Sequence, residues 1–338
     1  MILFLVVKEI PGGFETIVNV ARVDHKTSLG SFTPNFTEST FWVVLLYGFF
    51  INLNNFGMDQ NYIQRYHTAK TAKQASRSIW LCVWIYVPAS LMFFVIGTAL
   101  YAFYQTQPAL IDPVKLQVAA ERLGAAASST QVKELAASLT AADYGDKVLP
   151  FFMVNNIPTG LVGLIVSALL SAAMSTISSN MNASATVFTV DIYQKYFKPA
   201  ITDKRKLYLL HVSTVVFGVI GLCTGLAMIG AKSLLDIWWE LSGIFAGGML
   251  GLFLLGIISR QTKNAAAITA VIIGIIVILW MTFSGKLDGN YAFLKNPLHK
   301  NMVIVVGTLS IFLTGILLSR FRAVASPNKI ETVNEYEQ

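Results

Sequence analysis

Charge is the scarcest property of this sequence. Only 13% of its 338 residues are Asp, Glu, Lys or Arg, about half the share an ordinary globular domain carries. That shortage excludes a soluble enzyme of this length. The hydrophobic fraction of 54% and mean hydropathy of +0.60 point instead to a lipid bilayer as solvent. Histidine and cysteine are nearly as sparse. His25, His67, His211 and His299 are scattered, and Cys82 and Cys223 sit far apart inside apolar runs. No spacing suits a metal centre or a disulfide framework, and the cysteines read as small core residues. A Gly-rich phosphate loop, HExxH and GxSxG are all missing, so no enzymatic constellation is present. The net charge is +7, but the basic residues lie in short segments between apolar runs. They form no gathered basic surface, which excludes a nucleic-acid partner.

What the chain has in quantity is long apolar stretches. Seven are candidates to cross about 30 Å of hydrocarbon: 41–56, 79–104, 160–190, 207–229, 234–258, 265–283 and 302–319. The first is short and must borrow residues beyond Gly57. The third is too long for one crossing and projects past the cytoplasmic face. Residues 1–7 are too short to span and lack the basic leader of a signal peptide, so they read as the stump of a helix truncated at its N-terminal side. Between the second and third stretches, 105–157 forms the one large extramembrane loop. Its middle, 113–143, is rich in Ala, Leu, Lys and Glu and predicts short amphipathic helices, serving as an outer lid or a solvated cap.

Basic residues set the orientation. Segments 65–78, 194–206, 259–264 and 319–338 hold 14 Lys and Arg in 53 residues, against 11 in 115 for segments 1–40, 105–157, 230–233 and 284–301. The positive-inside rule then places the N-terminus of the chain outside and the C-terminus in the cytoplasm, in a multi-pass protein of the plasma (inner) membrane. Glycines 243, 247 and 251, and 221 and 225, are spaced to let helices approach closely.

Polar residues interrupt two of the spans. In FWVVLLYGFFINLNNFGMDQNYIQRY, Asn52 lies about 16 Å along a helix from Phe41, near mid-membrane. Asn52, Asn54 and Asn55 fall where unpaired amides are costly. Either the helix unwinds or lines a cavity here, or the amides bond to neighbouring helices. In SALLSAAMSTISSNMNASATVFTVDIY, Ala172, Ser175 and Thr176 share one helical face, and Ser175, Ser178 and Ser179 share the next turn. Converging hydroxyl and carbonyl oxygens can replace the water shell of a hard cation without stacking charge in lipid. The competing reading is a small-residue packing seam. Asp191, beside Tyr193 and Lys195, reads as a solvated interfacial carboxylate rather than a proton carrier.

Three stretches carry a family resemblance: INLNNFGMDQNYIQRYHTAKTAKQA, IYVPASLMFFVIGTALYAFY and, most specific, ALLSAAMSTISSNMNASATVFTVDIY. From about Val7 to the sixth apolar stretch the chain resembles the solute:sodium symporters, which include sodium/glucose, sodium/sialic acid and sodium/vitamin cotransporters. The resemblance implies an all-α, LeuT-like inverted-repeat membrane fold forming a single transmembrane domain over 1–338. The first five apolar stretches would be the sixth to tenth core helices, the last two peripheral, and the first five core helices would precede this chain. It implies sodium ligands at Ala172, Ser175 and Thr176, and a second sodium site at Ser175, Ser178 and Ser179. Solute contacts would come from Asn52, Asn55 and Phe56. Sugar-transporting relatives have Tyr-Trp where Asn55-Phe56 stands, so a simple hexose is not the expected solute. The implied function is sodium-coupled import of a small polar organic solute, a sugar, sugar acid or similar, by alternating access, with sodium, solute and lipid bilayer as partners. The alternative is a non-transporting receptor or sensor on the same fold, which the short tail after Arg322 disfavours.

Overall fold

The computed structural model describes residues 2–124, 127–229, 234–259, 262–286 and 289–324. Among them every regular element is helical, and seven helices are long and apolar enough to cross a membrane. The C-terminal segment 325–338, used above for orientation and against a receptor, lies outside the described residues. The chain divides into two compact units: Met1–Ser28 with Arg65–Ser233, and Leu29–Gln64 with Leu234–Gln338.

The first unit opens with α1 (Ile2–Glu9) and α2 (Gly13–Val23), separated at Pro11–Gly13, where Gly12 and Gly13 take φ +82° and +57°. Only glycine enters that left-handed region without steric penalty, and the turn folds α2 back. Val6, Ile10 and Ile17 then pack against Ala99, Ala102 and Phe103 of α5 (Ala72–Thr106) and Phe152 of α8 (Ala141–Asn156). Gln107 donates from Nε2 to the Glu9 carbonyl at 3.1 Å and ties the same ends together. α5 begins seven residues before the apolar stretch that announced it. Thr71 caps its first turn, accepting from the Gln74 amide, so the polar KQASRS run winds into helix as well.

Short helices do occupy the large loop: α6 (Asp112–Leu123), α7 (Ser129–Ser138) and α8. Arg122 pairs with Asp143 at 2.9 Å and Lys147 with Glu121 at 2.8 Å, clamping α6 to α8. The Thr140 hydroxyl and amide, bonded to the Asp143 carboxylate at 2.7 and 3.1 Å, together with Arg122 hold its pKa down to about 2. The Lys147 hydrogen bond likewise lowers that of Glu121.

The unit's remaining spans are α9 (Thr159–Thr186) and α10 (Asp203–Ala227). Beyond Thr186 the α9 chain continues as a wide π-helix over Val187–Phe197, so it does project past one crossing. Gly221 and Gly225 of α10 meet nothing within 4 Å; it is Gly218 that faces a neighbour, the Met181 thioether of α9. Cys82 and Cys223 are exposed on their helices rather than in a core.

In the second unit, α3 (Phe41–Met58) leads into α4 (Gln60–His67), and α11 (Leu234–Ile258), α12 (Asn264–Phe283) and α13 (Met302–Val324) form a tight bundle. Val43, Tyr47 and Ile51 of α3 share its core with Ala246, Ile278, Met281 and Met302. Here the predicted glycine face on α11 does pack: Gly243, Gly247 and Gly251 all lie against α13. The approach is close enough for Thr308 to donate to the Gly247 carbonyl at 3.3 Å.

A Cβ added to Gly251 would stand 2.8 Å from both the Ile311 Cβ and the Thr308 carbonyl. Gly251→Ala is expected to destabilise the protein by about 1–3 kcal/mol, read as a lower melting temperature in detergent. Gly256→Ala, with nothing within 4 Å of the new methyl, leaves that temperature unchanged. In the loop, a depressed carboxylate pKa adds stability above the unfolded value of about 3.9 and loses it as pH falls towards the folded value. Amide protection in α6–α8 should therefore drop between about pH 4 and the folded pKa of about 2. Asp143→Asn should lower protection at neutral pH and shrink that step to the part that Glu121 contributes.

Candidate functional site

α9 is built almost wholly of small and hydroxyl-bearing residues over two turns, and this composition decides what its surface presents. Thr176 donates its hydroxyl to the Ala172 carbonyl at 3.1 Å, and Ser179 donates to the Ser175 carbonyl at 3.0 Å. Back-bonding to the carbonyl four residues earlier satisfies each hydroxyl proton inside the helix. The oxygen lone pairs remain free. Two pairs of adjacent oxygens, Ala172 with Thr176 and Ser175 with Ser179, therefore follow one another along one face, less than a turn apart. Ala172, Ser175, Thr176 and Ser178 are exposed and Ser179 is half-buried. This face is not packed into a seam with another described helix. α9 touches α10, α8 and the helical run that follows it, and none of its most apolar window is buried.

Among the described residues no group of three His, Cys, Asp or Glu is placed to hold a metal ion. The donor set on α9 is neutral oxygen alone. That chemistry suits a hard monovalent cation handled as a passenger, since a divalent ion calls for carboxylates to offset its dehydration. Asp191 is exposed on the π-helical segment.

The asparagine cluster behaves differently from either expectation. α3 stays helical through Asn52, Asn54, Asn55 and Phe56, with no unwinding at those positions. Asn52 turns its amide onto its own helix, donating to the Gly48 carbonyl at 2.7 Å, rather than to a neighbour. Asn55 and Phe56 are half-buried, and the Phe56 ring lies 5.0 Å from that of Tyr62 in α4. Asn54 points inward: it is 7% exposed and its Oδ1 has no hydrogen-bond partner. The break comes later, at Asp59, whose extended backbone ends α3 while its carboxylate accepts from the Asn61 amide at 2.7 Å and starts α4. An acid placed just before a new helical run is a capping signal, and it was readable in GMDQN. The solute candidates lie in the second unit and the α9 oxygens in the first.

A family model for the sodium:solute symporter family matches residues 1–274. The chain belongs to that family. Among curated symporters of the family, a sodium/sialic acid symporter of Aliivibrio fischeri is 27% identical over 313 residues, which cover 92% of this chain and 56% of the relative. One from Proteus mirabilis is 25% identical, with 92% and 57% covered. The human sodium-coupled monocarboxylate transporter 1 is 26% identical, covering 85% of this chain and 43% of its own length. A solved substrate-bound, outward-open state of a Na+-coupled sialic acid symporter has the same fold: TM-score 0.71 and 23% identity, over 95% of this chain and 58% of that one. The chain thus spans little more than half the length of these bacterial relatives.

Asn54 can be told apart from its neighbours by stability alone. Asn54→Leu removes an unpartnered buried amide and is expected not to lower the melting temperature, whereas Asn54→Asp places a carboxylate there and should lower it by several degrees. Asn52→Leu, at an exposed position, should leave it nearly unchanged.

Proposed function

We propose that the protein carrying this chain is a sodium-coupled secondary active symporter, importing a small polar organic solute such as a sugar or sugar acid by alternating access. The observation that carries the reading is the open ladder of neutral oxygens on α9, set in a helix otherwise fit only for lipid. Sodium is a passenger here. Ala172 through its carbonyl and Ser175 and Thr176 through their hydroxyls take over part of its water shell. Ser175, Ser178 and Ser179 offer a second position one step along. An ion bound more tightly in one conformation than another shifts the population toward the conformation it prefers, by no more than that difference in affinity. Sodium bound at α9 in the outward-open state would favour solute capture, and opening to the cytoplasm releases both.

Solute contacts are assigned to Asn52, Asn55 and Phe56, where polar amides stand beside an aromatic ring. The named relatives support a polar or acidic solute: two carry sialic acid and one monocarboxylates. We place the protein in the plasma (inner) membrane as one transmembrane domain, with the N-terminus of this chain outside and its C-terminus in the cytoplasm. The basic segments after α4 and before α10 support that orientation.

The test is solute uptake into proteoliposomes under a sodium or a potassium gradient. Replacing Ser175 and Thr176 together by Ala should reduce sodium-dependent uptake at least about tenfold, in line with the loss of two ion ligands. Ser171→Ala, which removes a hydroxyl bonded to the Ser167 carbonyl at 2.8 Å one turn away, should not. Uptake that keeps its full sodium dependence in the double variant would sink the assignment.

A further inference from the structure

The π-helix that follows α9 holds polar atoms that its own geometry has stranded. Along Val187–Phe197 the backbone bonds skip to the fifth residue, as in the Lys198 amide donating to the Tyr193 carbonyl at 3.1 Å. At the junction the Val187 amide is shared between the Ala183 and Ser184 carbonyls. An extended π run is rare, because one extra residue per turn loosens the winding, and short π segments concentrate at functional positions.

Thr189 sits within this run. It is 0% exposed, and its hydroxyl has no hydrogen-bond partner; nor has the buried Oε1 of Gln194, five residues on. The α-helical threonines on either side behave otherwise. Thr176, Thr186, Thr214 and Thr224 each donate to the carbonyl four residues back, at 3.1, 2.8, 2.8 and 2.8 Å. For Thr189, inside the π run, that carbonyl belongs to Ala185, and no such bond forms. The orphan does not reflect an open face: α10 packs on the segment, with Phe217 set 6.4 Å from Phe188 and Ser213 buried.

We propose that Val187–Phe197 is a two-register element that converts between π and α winding, with the Thr189 hydroxyl as its bias toward α. Rewinding lets Thr189 donate to the Ala185 carbonyl and removes the stranded group. Each residue gained in register turns everything beyond it by roughly 100° and, over the run, lengthens the helix. Asp191, Tyr193 and Lys195 would then be re-aimed at the membrane surface while the α9 oxygens upstream keep their place. Coupling this change to alternating access rests on the symport reading above; the two registers themselves do not.

The test places spin labels at Tyr196→Cys and Lys204→Cys, both exposed, after Cys82→Ala and Cys223→Ala, in the reconstituted protein that carries this chain. Two distance populations are expected, with sodium changing their ratio. Thr189→Val keeps the shape but has no proton to donate, so the ratio should move about five- to tenfold toward the π-register distance. Thr189→Ser should restore it. Uptake by Thr189→Val should show a lower turnover with an unchanged solute KM. A single distance under all conditions, or a ratio indifferent to Thr189→Val, overturns the two-register element even if sodium-dependent uptake is intact. Two registers in a protein without sodium-dependent uptake would leave this inference standing and remove the symport reading instead.

Discussion

A bilayer offers no water to a stranded hydrogen-bonding group, and the seven membrane-crossing helices described are shaped by that constraint. Backbone groups are satisfied by winding, which is why the described residues form helix and nothing else regular. Several side-chain hydroxyls and amides inside the spans turn back onto their own helix: Thr98 on Phe94, Asn52 on Gly48, Thr176 on Ala172, Thr269 on Ala265. That habit makes a polar residue tolerable in hydrocarbon without committing its lone pairs. The α9 surface owes its character to it. The same oxygen that completes a helix internally keeps lone pairs uncommitted, so helix winding and the proposed ion binding make compatible demands on one sequence.

Much of the architecture was legible because it follows from lipid thickness. All seven apolar stretches became helices, and the bounds agreed best where lipid alone sets them, as for α11 and α12. They slipped where a cap outside the membrane extended the helix, as Thr71 does for α5. Glycine spacing was a weaker guide. The same pattern packs tightly on α11 and meets nothing at the C-terminal end of α10, because spacing reports what a helix permits and not which helix arrives.

For the candidate site, the sequence showed an unusual run of hydroxyls but not its orientation. The hydroxyl run on α9 stood out by composition, yet whether it faced a neighbour or open space depended on tertiary placement. The asparagines of α3 suggested an unwound helix, and the break falls at Asp59 instead, since an isolated Asn can satisfy itself on the preceding turn. Nothing in the letters VFTVDIYQKYF announces π winding. Valine, phenylalanine and tyrosine fit either register, and the choice lies with the packing of α10 against them.

α5 has a mechanical consequence that its length alone implies. Its 35 residues make a rod of about 52 Å, against a hydrocarbon layer of about 30 Å. Its far end is anchored by the apolar contacts of Ala99 to Tyr104 with α1 and α8, while the Thr71 end runs free of that core, and Pro88 interrupts the backbone ladder between them. Such a rod is a lever with a built-in pivot. With the anchored arm held by its packing, a bend of roughly 10° at the proline would sweep the Thr71 tip some 4 Å sideways, given about 1.5 Å of arm per residue.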